Sequence, residues 1–190
     1  MSLNSFIILL FCSIFSFSYS KVMAYEEVKY EIVKKNEIYE IRKYPDRLAV
    51  QTININQDNN FRKLFNYISG KNESNEEIKM TTPVTQVEKQ GNMTMQFYLP
   101  SKFNINNAPT PSRSDIEIIT IENGFYAVIT YSGRTNEINF KKHKKILEKK
   151  LKEDNISIIG PAIKAIYNGP FTLPMLRRNE AMFAVNLNFK

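Results

Sequence analysis

One short pattern occurs twice in this chain, and it constrains the fold more than anything else in the sequence. Leu48-Ala49-Val50-Gln51-Thr52 leads through a polar stretch into a helical pattern that carries Phe61, Leu64, Phe65 and Ile68. Tyr126-Ala127-Val128-Ile129-Thr130 leads through a second polar stretch into a helical pattern around Phe140. Each helical pattern is followed by a pair of strand-like segments. Two copies of a strand–helix–strand–strand unit predict one sheet or barrel carrying two helices. The strands are joined mostly by short turns and loops, which makes the sheet largely antiparallel.

The individual elements follow from period and punctuation. Residues 25–44 alternate loosely between apolar and polar, and Lys35-Asn36-Glu37 splits them into two strands. Pro45-Asp46 interrupts the pattern before a strand over Leu48 to Ile55. Asp58 or Asn59 can start the first helix and Gly70 ends it. Met80 to Val87 and Met93 to Leu99 read as a hairpin with Gly91-Asn92 at its tip. A proline-rich loop from Pro100 to Ser114 precedes strands at Ile116 to Ile121 and Tyr126 to Tyr131, with Asn123-Gly124 as the tight turn between them. Thr135 or Asn136 caps a second helix over roughly Glu137 to Asp154. Ile158-Ile159, Ala162 to Tyr167 and Ala181 to Leu187 are the remaining strand signals. Arg177-Arg178-Asn179-Glu180 offers a functional surface or, the reading we favour, a structural turn, with Arg bonding loop carbonyls and Asn favouring irregular backbone.

The 190 residues fit one domain and a short leader, on a norm of roughly 100–200 residues per domain. Phe6 to Phe17 is almost entirely apolar or Ser, the length of a signal-peptide core and shorter than the ~20 residues of a membrane span. Small residues then allow cleavage after Ser20 or after Ala24, leaving a domain over residues 25–190. An uncleaved N-terminal anchor is the alternative. The chain is therefore expected to be secreted or periplasmic, away from nucleic acid. The single cysteine, Cys12, lies in this leader, so the mature domain has no disulfide, cysteine metal site or thiol nucleophile. Three Asn-x-Ser/Thr sequons, at Asn72, Asn92 and Asn155, would matter only in a eukaryotic secretory pathway.

The ordered set of motifs is more specific than any one of them. Tyr39-Glu40-Ile41-Arg42, the Phe61 to Gly70 helix with Asn72 after it, and Lys79-Met80-Thr81-Thr82-Pro83-Val84 come first. Met95-Gln96-Phe97-Tyr98-Leu99-Pro100 and the Pro109–Pro111 loop follow. Tyr167-Asn168-Gly169-Pro170-Phe171, Leu173-Pro174 and Arg177-Arg178-Asn179-Glu180 close the series. Together they resemble the SOUL heme-binding protein family over almost the whole mature chain. The resemblance implies an α+β fold: a distorted, mainly antiparallel β-barrel of two pseudo-repeats with two flanking α-helices. It also implies a heme or other tetrapyrrole in a shallow apolar groove beside the first helix.

On that helix Phe61 and Phe65 lie four apart, with Leu64 and Ile68 beside them. A flat porphyrin would stack on such rings; equally, an amphipathic helix needs residues of this kind to pack on its sheet. The two heme carboxylates call for basic residues at the rim. Arg62 and Lys63 are candidates, whereas Asp58, Asn66 and Thr172-Leu173 supply none. His143, the only histidine, shares a stripe with Phe140 and Leu147 on the second helix. It is either an axial iron ligand or a packed side chain. Met80 and Met175 are further ligand candidates that core filling also explains. Seven lysines from Lys141 to Lys152 form a solvated helix face, or a patch for acidic lipid headgroups or an acidic partner. The net charge of +7 suits anionic partners generally.

With one His and no mature Cys, most metal and nucleophile constellations are ruled out, and no phosphate-loop, dinucleotide or nucleophile-elbow motif is present. Together with the leader, the resemblance implies an exported, non-enzymatic heme- or tetrapyrrole-binding protein of the carrier, buffer or scavenger kind. The alternative is a module on the same scaffold for another apolar ligand, a membrane surface or a protein partner.

Overall fold

A computed structural model describes residues 25–52, 59–89 and 92–187. The leader with both cleavage points, Asp58, the Ile53 to Ile55 strand end and Gly91 lie outside the described residues.

Strands β1 (Glu26–Glu27), β2 (Glu31–Lys35), β3 (Glu40–Tyr44) and β4 (Arg47–Thr52) precede helix α1 (Asn60–Ile68). Then come β5 (Thr81–Thr82), β6 (Val84–Lys89), β7 (Asn92–Tyr98), β8 (Ile116–Ile121) and β9 (Gly124–Tyr131). Helix α2 (Glu137–Glu153) is followed by β10 (Ser157–Ile158), β11 (Ile163–Ile166), a short 3-10 turn at Pro174–Leu176, and β12 (Asn179–Asn186).

The main sheet runs β2-β3-β9-β12-β11-β6-β7-β4-β8, with β10 added on β12, and its pairings are antiparallel. It curls into a half-barrel of nine strands. The repeat read from the sequence is its symmetry. Strands β6 and β11 meet at the centre. Outward from them β7 and β4 mirror β12 and β9, and β8 mirrors β3. The leading strand of each half pairs with the other half: β3 on β9, and β8 on β4.

The strict two-residue period of the strands sorts side chains onto two faces. One face carries the helices. Beneath α1 lie Val50, Leu64, Tyr67, Ile68, Phe97 and Ile116, all buried. Beneath α2 lie Ile41, Ala127, Ile129, Phe140, Leu147 and Phe183. The opposite face is also buried, and there Tyr44, Tyr126, Val128, Ala165 and Met182 surround a polar cluster that no alternation of apolar residues announces. There the Arg42 guanidinium donates to Glu180 at 3.0 Å and sits over the Tyr30 ring, and Arg47 lies 4.4 Å from the Tyr44 ring centre and 4.8 Å from that of Tyr126.

Helix starts differ between the halves. The Asn136 side chain accepts the Asn139 amide, so Asn136 rather than Thr135 is the cap, while the Thr135 hydroxyl donates to Asn179. At α1 the cap is Asn59, held left-handed at φ 72 without a side-chain bond. Asn179 and Glu180 correct the turn reading of the C-terminal motif: they open β12 and are fully buried, with Glu180 meeting Arg42 from distant β3 and Arg178 from two residues before it. Arg177 does bond loop carbonyls, donating to Thr172 and Pro170.

Candidate functional site

The site is built on the helix face, where α1 stands beside the segment joining β11 to β12. Nine residues with an apolar stripe make α1, and its 3.6-residue period splits the sequence candidates into two groups. Leu64 and Ile68 point into the core and are 0% and 5% exposed. Phe61 and Phe65 are about half exposed, at 49% and 48%. Their rings stack with centroids 5.9 Å apart and planes 14° from parallel. Phe61 also meets Phe97 edge-on at 5.2 Å, which fixes the pair against the sheet. Arg62 is exposed, and Lys63 is tied to Asp115 at 3.2 Å. The Arg113 hydrogen bond, helped by Lys63 against the cost of partial burial, holds the Asp115 carboxyl down to about 2.

Phe61 and Phe65 form one wall of a groove of about 510 Å³. Met80, Val84 and Met95 make its floor, and Ile166, Tyr167 and Pro170 make the facing wall. Arg177 lies at its edge, and Tyr25 reaches it from the start of the domain. The Tyr167 hydroxyl donates to Glu180 at 2.8 Å, and burial first, then the Glu180 charge, pushes its pKa far up, so it stays protonated. Arg177 spends two N–H groups on Thr172 and Pro170. The rest of its five-donor fork is left for a carboxylate.

A second, polar groove of about 610 Å³ opens between the N-terminal ends of the two helices and meets the apolar one at Phe61, Met95 and Thr135. Lys164 there is bonded to Glu137 at 2.8 Å. Lys141 also lines it.

The structure does not bring His143 to either groove. Its ring lies flat on Tyr131, centroids 4.0 Å apart, and Nδ1 is 2.8 Å from the Asn139 carbonyl. Met80 lines the apolar groove and Met175 stands exposed outside it. Along α2, Lys144, Lys149 and Lys150 pair with Glu148 and Glu153, as on a solvated face. Asn72 is buried with its amide donating to the Tyr67 and Glu76 carbonyls, so that sequon is closed in the folded chain. Among the described residues no cluster of His, Cys, Asp and Glu could hold a metal ion. Sequence reasoning missed Tyr167, Ile166 and Arg177 as wall residues, because they reach α1 only after the chain folds back on itself.

Fold and groove together define a two-repeat α+β half-barrel with an apolar cleft beside its first helix. The sequence model of the SOUL heme-binding protein family matches residues 25–184, and the chain belongs to that family. It is 30% identical over 165 residues to heme-binding protein 2 of Homo sapiens, covering 79% of this chain and 78% of that protein. The Mus musculus protein of the same name is 30% identical over 167 residues. Among solved structures, the C-terminal domain of EcmrR superposes with a TM-score of 0.57 at 12% identity, over 83% of this chain and 98% of that one. An uncharacterized conserved protein from Listeria innocua gives 0.59 at 8% identity, over 80% and 94% of the two chains. At those identities the two likenesses describe the fold alone.

Proposed function

We propose that this chain binds heme or a related tetrapyrrole in the groove beside α1, without turning it over, as an exported carrier, buffer or scavenger. The observation that carries this reading is the Phe61–Phe65 stack, a flat aromatic pair left half exposed at the rim of an apolar groove. A solvent-facing pair of this kind suits a flat macrocycle. Family membership points to the same ligand.

The residues fit the group. Phe61 and Phe65 would cover one face of the ring, Ile166 and Pro170 would close the other side, and Arg177 would meet a ring carboxylate. The soft thioethers of Met80 and Met95 are the metal-philic atoms of the groove. Bound heme would supply the iron and the macrocycle. The chain's own part is to bury the apolar plane, neutralise a carboxylate and limit water.

That the groove binds without reacting is supported by its lining, which among the described residues holds no histidine, carboxylate, serine or cysteine. His143 lies outside the groove, with the Tyr131 ring and the Asn139 carbonyl beside it. Export is supported by the apolar Phe6 to Phe17 run and the small residues after it.

The test is a hemin titration of residues 25–190 followed by the Soret band. One saturable site per chain is expected, weakened about tenfold or more in Phe65→Asp, because a buried charge then faces the macrocycle. His143→Ala should leave the spectrum unchanged. No saturable shift in the wild type would move the function to another apolar ligand.

A further inference from the structure

The segment Gly169 to Arg177, whose Gly169, Pro170 and Arg177 line the groove, also displays four of the six most exposed large apolar side chains among the described residues. Phe171 is 99% exposed, Met175 74%, Leu176 69% and Leu173 59%. Large apolar side chains concentrated in so short a stretch are unusual on a monomer surface.

The loop is built rather than loose. Thr172 donates its amide to Gly169, Leu176 to Leu173, and Arg177 to Pro174. From outside, the Gly133 amide donates to Pro174 and the Asn168 side chain accepts the Arg178 amide. The Arg177 guanidinium ties Thr172 and Pro170 from beneath. These bonds hold the loop in place, while four apolar side chains stand out in water.

We propose that this loop is a lipid-docking finger, which seats the mouth of the groove on an anionic membrane surface. The charge around it is complementary to such a surface. Residues 167–179 contain no acid, Arg177 bonds only neutral carbonyls, and exposed Arg134 sits next to the Gly133 that is bonded to the loop. Apolar side chains flanked by arginine match the two layers of a bilayer interface, acyl chains beneath and anionic headgroups above. The same segment lines the groove and touches the membrane, so an apolar ligand dissolved in lipid could pass between them without crossing water. That last step rests on the ligand reading above; the docking itself does not.

The experiment is flotation of residues 25–190, which hold every described strand and helix, with vesicles. One set is phosphatidylcholine and the other carries about one-third phosphatidylglycerol. The Phe6 to Phe17 run is left out because it would bind lipid by itself. The wild type should float with the anionic vesicles. Phe171→Asp should reduce the bound fraction about tenfold, and Arg134→Gln should weaken only the anionic-vesicle binding. Both sites are exposed, so melting temperatures should stay at the wild-type value.

Three results would overturn docking through the loop. One is no flotation with either vesicle. Another is flotation unaffected by Phe171→Asp. The third is flotation lost only when α2 lysines such as Lys145 are reversed to Glu. Loss of flotation in Phe171→Asp, in a chain that binds no hemin, would uphold docking and sink the ligand reading instead.

Discussion

At the scale of single residues, Glu180 does most to hold the polar face together. It is fully buried, and its carboxylate accepts from Arg42, Arg178, Tyr167 and Thr130. Arg42 lies on β3 and is itself almost fully buried; the neighbouring Glu180 charge raises its pKa, overriding the opposite pull of burial. Removing one member of such a pair strands a charge away from water. Glu180→Ala should therefore cost about 3–5 kcal/mol in urea denaturation. A loss under ~1 kcal/mol would mean that Arg42 finds water by local opening. None of this was legible from order along the chain. Arg42 and Glu180 are far apart in sequence, and Arg-Arg-Asn-Glu has the composition of a turn. Phe61 and Phe65 were legible because their contact is local, four residues apart on one helix.

At the scale of elements, the two helices test how much of their stability is intrinsic. Asn136 caps α2 through its side chain, so Asn136→Ala should cost about 1 kcal/mol. Asn59 caps α1 with a left-handed backbone and no side-chain bond, so Asn59→Gly should be neutral or slightly stabilising. Thermal melts of both variants separate the cases; equal losses would contradict the observed cap geometries. Helix α1 also shows where sequence reading blurs. Its apolar stripe identifies the element, but Leu64 and Ile68 resemble Phe61 and Phe65 in kind. Only the tilt of the helix on β4 and β7 decides which pair faces the sheet. Period likewise found the long strands but did not separate from them β1 and β5, which are two residues each and pair in parallel.

At the scale of the molecule, the two halves keep separate apolar cores, one around Leu64 beneath α1 and one around Leu147 beneath α2. Each Leu→Ala change should cost about 2–5 kcal/mol. With no shared partners, the double variant should lose the sum to within ~0.5 kcal/mol. A coupling well above that in a double-mutant cycle would show that the sheet transmits strain between the cores. The symmetry behind this arrangement was legible in the repeated strand–helix pattern. The exchange of leading strands between halves was not, because strand partnership across a sheet leaves no trace in local order.

The position of β12 has a consequence for how the molecule comes into being. It is the last described strand in chain order, yet it lies between β9 and β11, inside the sheet. A ribosome releases β9 and β11 well before their common neighbour. Until β12 emerges, β9 and β11 wait with open edges and the Arg42 charge has Glu40 but not Glu180 beside it. The sheet can therefore close only once β12 is available, and the edges that it will cover need protection until then.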